Sequence, residues 1–399
     1  MSNLTIICYN DNININLEIF IHRTKLHILI TRSNPILPDP RVEKIGRALI
    51  GAGYSVQAIA WDRTGNLPEQ ETKEGLPVYR LPIRAEFASG MRNLLPLLKW
   101  QWGLWRWLLQ HQSEFDVIHA CDFDTILPAI WLKTFFGKRV IYDIFDFYAD
   151  HLRATPGMIT SIIRRVDLWA IGKADALILV DEARVEQVAG SKPRLVSIIY
   201  NSPEDVMEKY TRLNAPPIGD LRLAYIGLLQ VERGLLQMLT VLRNHPEWHL
   251  DLAGFGGDEE IILNASANLP NIHWHGRVSY QQAMQLSADA DVLFATYDPV
   301  IPNHKYSSPN KVFEAMMFGK PNIVAAGTNM DRMITEAECG FIVPYGDLPS
   351  LENALQSLAS NPELVHKLGV NARRAYETRY HWDLMSQRLT QLYEKVLQK

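Results

Sequence analysis

Cysteine is scarce in this 399-residue chain: Cys8, Cys121 and Cys339 stand far apart, with no CxxC pair. That excludes a disulfide framework and a cysteine-based zinc site, and it fits a reducing cytoplasm. Net charge is scarce too. Lys and Arg number 40 against 44 Asp and Glu, a balance of −4. No global basic field is available to hold nucleic acid. Residues 1–24 lack a basic n-region and a small-residue cleavage site, and Asn and Asp break their apolar runs. They read as neither signal peptide nor membrane span but as an added extension. A GxSxG elbow, a Walker loop and an HExxH helix are absent, as are low-complexity tracts and short repeats. The glycine-rich GFGGDE lacks GxGxxG spacing and comes late in the chain, which disfavours a nicotinamide-dependent dehydrogenase.

What is present is ordinary globular material, 47% hydrophobic and 21% charged, at a length that suits two domains. From residue 25 onward, short β-rich apolar runs alternate with amphipathic helical stretches, the pattern of a parallel α/β sheet. Strands are expected at Leu26–Thr31, Tyr54–Trp61, Val78–Pro82, Val117–Ala120, Arg139–Asp143, Ala176–Val180 and Val196–Tyr200, with a helix over Arg41–Ala52. Residues 206–219, with Pro216, Pro217 and Gly219, have no period and read as a linker. A second series follows: strands at Leu221–Gly227, Trp248–Gly254, Ile272–His275, Val292–Thr296, Asn322–Ala325 and Gly340–Val343, with a helix at Leu235–Arg243. The expectation is two Rossmann-like doubly wound domains, 25–205 and 220–380, facing a cleft where strand carboxyl ends meet. A last amphipathic helix within 381–399 packs back across the first domain.

Segment 92–112 holds Trp100, Trp102, Trp105 and Trp107 beside Arg92, Lys99 and Arg106. Two readings stand: a peripheral contact with a lipid interface, or a helix partly buried in the first domain and interrupted by Pro96.

The chemistry concentrates at SSPNKVFEAMMFGKPNI, residues 307–323. A loop containing Ser308 and Asn310 runs into a helix near Lys311, which Gly319 ends. Free N–H groups and the positive dipole end at such a start suit a diphosphate, and Lys311 adds a charge. Glu314, one turn on, has the reach to accept two hydrogen bonds from a ribose diol. On chemistry alone, a capped amphipathic helix with no ligand explains the segment equally well.

The segment resembles the donor site of retaining glycosyltransferase family 4, the group 1 glycosyltransferases of GT-B fold, whose pattern is E-x7-E with EAMA-x-G-x-P-V-I in its second half. RSNPILPDPRVEKIGRALIGAGYSVQAIAWDR (residues 32–63), YIGLLQVERGL (225–235), LAGFGGDE and HWHGRVSYQQAMQLSADADVLF resemble the family's other segments in order. This resemblance implies a cytoplasmic enzyme, peripheral at the inner face of the cell membrane. It would move a hexosyl group with retention from a nucleoside-diphosphate sugar to a hydroxyl of a lipid-linked or polysaccharide acceptor. No cofactor beyond that sugar nucleotide and no metal are implied. Arg233, Lys311 and Glu314 would be catalytic, Glu314 holding ribose and Arg233 the diphosphate. Gly227 and Gly254 would let backbone approach the donor, Val278 would lie near the base, and Tyr306, Ser308 and Asn310 complete the donor set. Arg41, His119, Asp143 and Asp146 are acceptor-side candidates.

Three positions depart from the family pattern. Tyr306 stands where the first Glu is expected, so its sugar contact is lost or passes to Tyr306, Asn303 or His304. Leu228 replaces a basic residue, and Phe145 replaces a histidine. A sugar-nucleotide 2-epimerase and a non-catalytic sugar-nucleotide-binding partner of another transferase remain alternatives. Asp122-Phe-Asp124 and Asp289-Ala-Asp291 spell DxD, but Asp is common at helix starts and strand ends. The first pair is expected to cap a helix, and no metal role is assigned. His119 is read either as a sugar contact or as a hydrogen-bonded core histidine. Arg41 is read as cleft-facing or as paired with Asp39 or Glu43.

Overall fold

The run HILITR forms β1 (His27–Arg32), and its Ile28, Leu29 and Ile30 are all inaccessible to solvent because helices cover both faces of its sheet. The computed structural model describes residues 25–85, 94–152, 155–210 and 219–398. The 1–24 extension and residues 211–218 of the expected linker lie outside the described residues.

After β1 come α1 (Pro40–Gly51), β2 (Ser55–Asp62), β3 (Gln70–Lys73), β4 (Leu76–Pro82), α2 (Leu94–Gln110) and β5 (Val117–Cys121). The domain continues with α3 (Phe123–Phe136), β6 (Arg139–Ile144), α4 (Gly157–Lys173), β7 (Ala176–Leu179), α5 (Arg184–Gln187) and β8 (Val196–Ile198). These strands form one sheet in the order β3-β4-β2-β1-β5-β6-β7-β8. Every pairing is parallel except that of β3 with β4. The strand β3 is absent from the sequence reading because QETK has no apolar alternation. It is an edge hairpin strand held by its turn. Pro96 does not interrupt α2 as expected. It lies in the first turn, where no intrahelical N–H bond is required of it.

The second domain runs β9 (Leu221–Leu228), α6 (Leu235–Leu242), β10 (Trp248–Phe255), α7 (Glu259–Ser266), β11 (Ile272–Gly276), α8 (Tyr280–Asp289) and β12 (Val292–Ala295). It continues with α9 (Pro302–Lys305), α10 (Asn310–Met317), β13 (Asn322–Ala325), α11 (Asn329–Ala337), β14 (Gly340–Val343), α12 (Leu348–Ser360) and α13 (Pro362–Ala375). Its parallel sheet has the order β11-β10-β9-β12-β13-β14. In both sheets the strand order reverses at the first strand of the domain, β1 or β9. Such switch points open a crevice at the strand carboxyl ends, and here the two crevices face each other.

The helix α14 (Trp382–Leu397) leaves the second domain and packs on α1, burying Leu389, Tyr393 and Val396 in a core shared with Val42, Ile45 and Leu49. On the opposite face of the first sheet, α2, α3 and α4 lie side by side over a separate core that includes Trp61 and Trp100. Their indole rings stack 5.3 Å apart.

Candidate active site

The cleft between the domains encloses a cavity of about 700 Å³. Its second-domain wall begins where β9 ends. Gly227 has φ 151°, and a Cβ there would stand 3.4 Å from the Lys311 Nζ. The turn after β9 brings Arg233 inward, its Nε donating to Gln230 at 2.9 Å and its guanidinium to the Tyr297 hydroxyl at 3.0 Å.

Lys311 enters from the first turn of α10. Its Nζ is buried without a hydrogen-bond partner and lies 3.2 Å from the centroid of the Tyr225 ring. Burial, and then repulsion from Arg233, hold this amine well below its ordinary pKa, while Glu314 pulls the other way. The Ser308 hydroxyl beside it is likewise buried and unpartnered. Pro309, the residue before α10, supplies no side-chain cap, so the first N–H groups of the helix stay open. A buried amine, a hydroxyl and the first two N–H groups of α10 thus converge with Arg233, and among the described residues none of the first three has a hydrogen-bond partner. An oxyanion supplies what all of them lack.

Glu314 sits one turn beyond and accepts no side-chain hydrogen bond from the described residues. Burial pushes its carboxyl up to about 7, against the pull of Lys311 and Lys44. It also borders a second cavity of about 320 Å³, shared with Tyr280, Asn310, Lys44 and Arg47. Burial lowers Lys44 to about 7, and its ammonium group donates to the Ser202 carbonyl.

Of the first-domain wall, Asp146 was expected as an acceptor-side residue, whereas Arg32, Tyr148 and Arg184 were not. Arg32, at the end of β1, bonds Asp39 at 2.8 Å and also Asp122, and lies 4.0 Å from the Phe145 ring centroid. Asp122 does not cap α3 as expected. At φ 62° it turns its carboxylate onto the Phe145 N–H at 2.8 Å and onto Arg32. Burial raises it to about 6, with Arg32 opposing. Asp124, Asp146, Tyr148 and Arg184 line the same wall, and Arg184 donates to Asp146 at 2.7 Å. The DxD spelling marked two of these residues, but nothing in the sequence signalled that a positive φ turns Asp122 to the cleft.

Several expected site residues sit elsewhere. Arg41, Asp143 and His119 form a buried cluster in the core. Arg41 grips both oxygens of Asp143 at 3.1 and 2.8 Å and donates to the Ile199 carbonyl. His119 meets the Tyr393 hydroxyl of α14 at 2.8 Å and Asp143 at 3.3 Å. It is the core histidine of the two readings, and Arg41 pairs with neither Asp39 nor Glu43. Gly254 does not reach the cavity. A Cβ there would lie 1.8 Å from the Gly227 carbonyl oxygen, so its bareness lets β9 and β10 close up. Val278 is half-buried against the core, and the adjacent wall is Tyr280.

Of the three substitutes for the missing acid, Asn303 accepts from Gln187 across the domain interface at 3.1 Å. His304 packs 5.2 Å from the Tyr297 ring, and Tyr306 lies outside the cavity lining. Asp289 accepts from Gln285 and Asp291 from the Arg222 N–H, both away from the cleft.

Comparison with known proteins covers both halves of the chain. Residues 38–201 match the family described as glycosyl transferase 4-like domain, and residues 208–375 match glycosyl transferases group 1. A phosphatidyl-myo-inositol mannosyltransferase of Mycobacterium leprae is 22% identical over 297 residues, covering 73% of this chain and 76% of that protein. Among solved structures, the sucrose-phosphate synthase of Thermosynechococcus elongatus aligns with a TM-score of 0.75 at 17% identity, over 94% of this chain and 99% of that one. HepE of Anabaena, in complex with UDP and glucose, aligns at 0.70 and 15% identity, over 93% and 100% of the two chains. At these identities the structural likeness speaks for the GT-B fold alone.

Proposed function

Since the two halves of this chain are the domains of a group 1 glycosyltransferase of GT-B fold, we propose that it moves a hexosyl group from a nucleoside-diphosphate sugar to an acceptor hydroxyl with retention of configuration. The carrying observation is the unpartnered trio of Lys311 Nζ, Ser308 Oγ and the open start of α10, set beside Arg233. Solved relatives of this fold include one with UDP and glucose bound, which supports a nucleotide donor here.

In this reading the diphosphate lies against Arg233, Lys311 and the α10 N–H groups, and the ribose diol bonds Glu314. The sugar then faces the first-domain wall, where Asp146, held by Arg184 at 2.7 Å, takes the place of the carboxylate lost at Tyr306. As the sugar–phosphate bond loosens, charge builds on the leaving diphosphate. Preoriented cations and N–H groups in a dry cleft stabilise that charge more than they stabilise the ground state. The acceptor hydroxyl enters on the leaving-group face, and a donor phosphate oxygen takes its proton. No metal takes part. The acceptor hydroxyl belongs to a lipid-linked or polysaccharide substrate, and the Trp-rich helix α2 keeps the enzyme peripheral to the inner face of the membrane.

The test is a thermal-shift panel of UDP-, GDP-, ADP- and dTDP-sugars on the wild type and Glu314→Ala. One donor should stabilise the wild type and lose most of that effect in the variant. Equal stabilisation of both proteins removes Glu314 from the site. With that donor, slow release of sugar in the donor's own anomeric form, undiminished by EDTA, supports the retaining, metal-independent reaction. Inverted sugar overturns retention.

A further inference from the structure

Glu314 stands between two cavities. On one side lies the space of about 700 Å³ with Arg233, Lys311 and Ser308; on the other lies the space of about 320 Å³. Lys311 and Glu314 are three residues apart on α10, about one helical turn. A nucleotide with its diphosphate at Lys311 thus brings its ribose to Glu314, with the smaller cavity beyond.

Both domains build that smaller cavity. Tyr280, Asn310 and Glu314 come from the second domain, and Lys44, Arg47 and Glu204 face them from the other side. Most charges on that opposing side are already paired. The Arg47 guanidinium holds Glu204 at 2.9 and 3.3 Å and also reaches Glu74. Arg41 is held by Asp143, and Glu43 accepts from the Asp39 N–H at 3.2 Å.

Lys44 is the exception. It is only 7% exposed, and among the described residues it forms no ion pair. Its Nζ donates to the Ser202 carbonyl and lies 4.6 Å from the Trp382 ring centroid. An ammonium group has three N–H donors, so this one has donors to spare. Glu314 is the complement: a carboxylate, able only to accept, with no side-chain donor bonded to it among the described residues. Each of the two charges supports the other against burial without a direct ion pair.

A donor-only group and an acceptor-only group that face one cavity from opposite domains suit a ligand group that does both. A hydroxyl accepts through its oxygen and donates through its hydrogen. A phosphate oxygen would meet Glu314 with like charge, and an apolar group would leave both charges buried and unmatched. Of a ribose diol, the 2′-hydroxyl adjoins the base-bearing carbon, on the side away from the diphosphate and toward this cavity.

We propose that Lys44 reads the donor's ribose from the first domain: it donates to the 2′-hydroxyl, which in turn donates to Glu314, so the cleft selects ribonucleoside over 2′-deoxyribonucleoside diphosphates. Ribose lies at Glu314 by the transferase reading above, on which this proposal rests. Sugars carried on dTDP are then poor donors, because the missing hydroxyl leaves a buried donor and a buried acceptor unmatched. A merely structural Lys44 would strap the Ser202 carbonyl to α1, and nucleotide and bare diphosphate would feel its loss alike.

The experiment is titration calorimetry of the full chain with UDP, GDP, ADP and dTDP. The 2′-deoxy and 3′-deoxy forms of the tightest ribonucleotide follow, and then inorganic pyrophosphate, on wild type, Lys44→Met and Lys44→Gln. The wild type should bind the 2′-deoxy form at least about 30-fold more weakly than the ribonucleotide. In both variants that ratio should fall by about 10-fold, while the 3′-deoxy ratio and pyrophosphate affinity stay as in wild type. An unchanged 2′-deoxy ratio, an equal drop in pyrophosphate affinity, or a wild type that prefers dTDP to every ribonucleotide would each overturn the proposal and leave the donor site standing. A wild type that binds none of the four nucleotides would sink the transferase reading, and the proposal with it.

Discussion

Lys311 and Arg233 share one aromatic floor. The Lys311 ammonium group stands 3.2 Å from the centroid of the Tyr225 ring and 5.7 Å from that of Tyr297, over which the Arg233 guanidinium lies at 4.7 Å. Two cations so close, without a carboxylate bonded to either, cannot both keep a proton cheaply in a low dielectric. Arginine keeps its charge, so lysine yields. The site therefore offers a ligand one permanent charge and one amine that keeps its proton more readily once an anion lies beside it.

The first prediction follows from that yielding. Lys311→Met removes an amine that folds at a disadvantage: its folded pKa lies below its unfolded value, so stability is lost as pH falls beneath about 10.4. The variant should unfold at a higher temperature than wild type at pH 7, yet bind nucleoside diphosphate about 10–100-fold more weakly, the range for a hydrogen bond to a charged group. Calorimetry in buffers of different ionisation enthalpy, repeated across the pH range below about 10, should detect proton uptake on binding in the wild type and less in Lys311→Met. Equal uptake in both would place the titrating group elsewhere.

Glu314 gives the second, with the pH window reversed in kind. Its carboxyl is raised from 4.5 to about 7 on folding, so it favours the folded state below about 4.5 and loses that contribution as pH rises through 7. Glu314→Gln should match wild type in unfolding temperature near pH 4.5, gain on it between pH 5 and 7, and hold a constant lead above pH 8. Differences of 1 kcal/mol correspond to roughly 2–4 °C in a domain of this size. Because Lys44 titrates near 7 as well, only the difference between the two proteins isolates the carboxyl. A flat difference across the range would mean Glu314 is solvated.

The third separates two glycines that the sequence treats alike. Gly227 and Gly254 face each other in the register of β9 and β10. A methyl group at 254 collides with backbone, whereas one at 227 meets only the far end of the Lys311 side chain. Both carry positive φ, which costs an L-residue about 1–2 kcal/mol. Gly254→Ala should add a steric term of several kcal/mol and yield little folded protein. Gly227→Ala should fold with a modest loss of unfolding temperature and a large loss of donor stabilisation. Comparable expression and stability of the two variants would contradict the packing described.

These contrasts show what the sequence made legible. The inner strands β1, β5, β6, β7, β12 and β13 are readable because each is a largely apolar run buried on both faces; β3, a polar edge strand, carried no such signal. Lys311, Asn310 and Glu314 are contiguous in one motif, and so are Gly227 and Arg233 in another, so each short stretch carries its geometry with it. Arg32 and Asp122 are 90 residues apart and meet because of a backbone angle at Asp122. His119 is 274 residues from Tyr393. Strand periodicity puts His119 near a carboxyl end, but whether its ring meets solvent or core depends on α14, which returns only at the end of the chain.

The last prediction uses that return. Asp143 is held below the usual carboxylate range by Arg41 and His119, against the opposing effect of burial, so its ionised form belongs to the folded state and its contribution fades only as pH falls into the acid range. Asp143→Asn leaves the Arg41 guanidinium buried without its counter-charge and should cost about 3–5 kcal/mol. Arg41→Met combined with Asp143→Leu removes both charges and should recover a large part of that loss, since a well-packed apolar pair tends to match a buried ion pair. Urea denaturation of the three proteins measures both steps. If the acceptor reading of these residues were right instead, the double variant would fold and bind donor normally while losing acceptor-dependent turnover. In the arrangement seen here, donor binding and acceptor KM in the double variant should stay close to wild type, because neither side chain reaches the cleft.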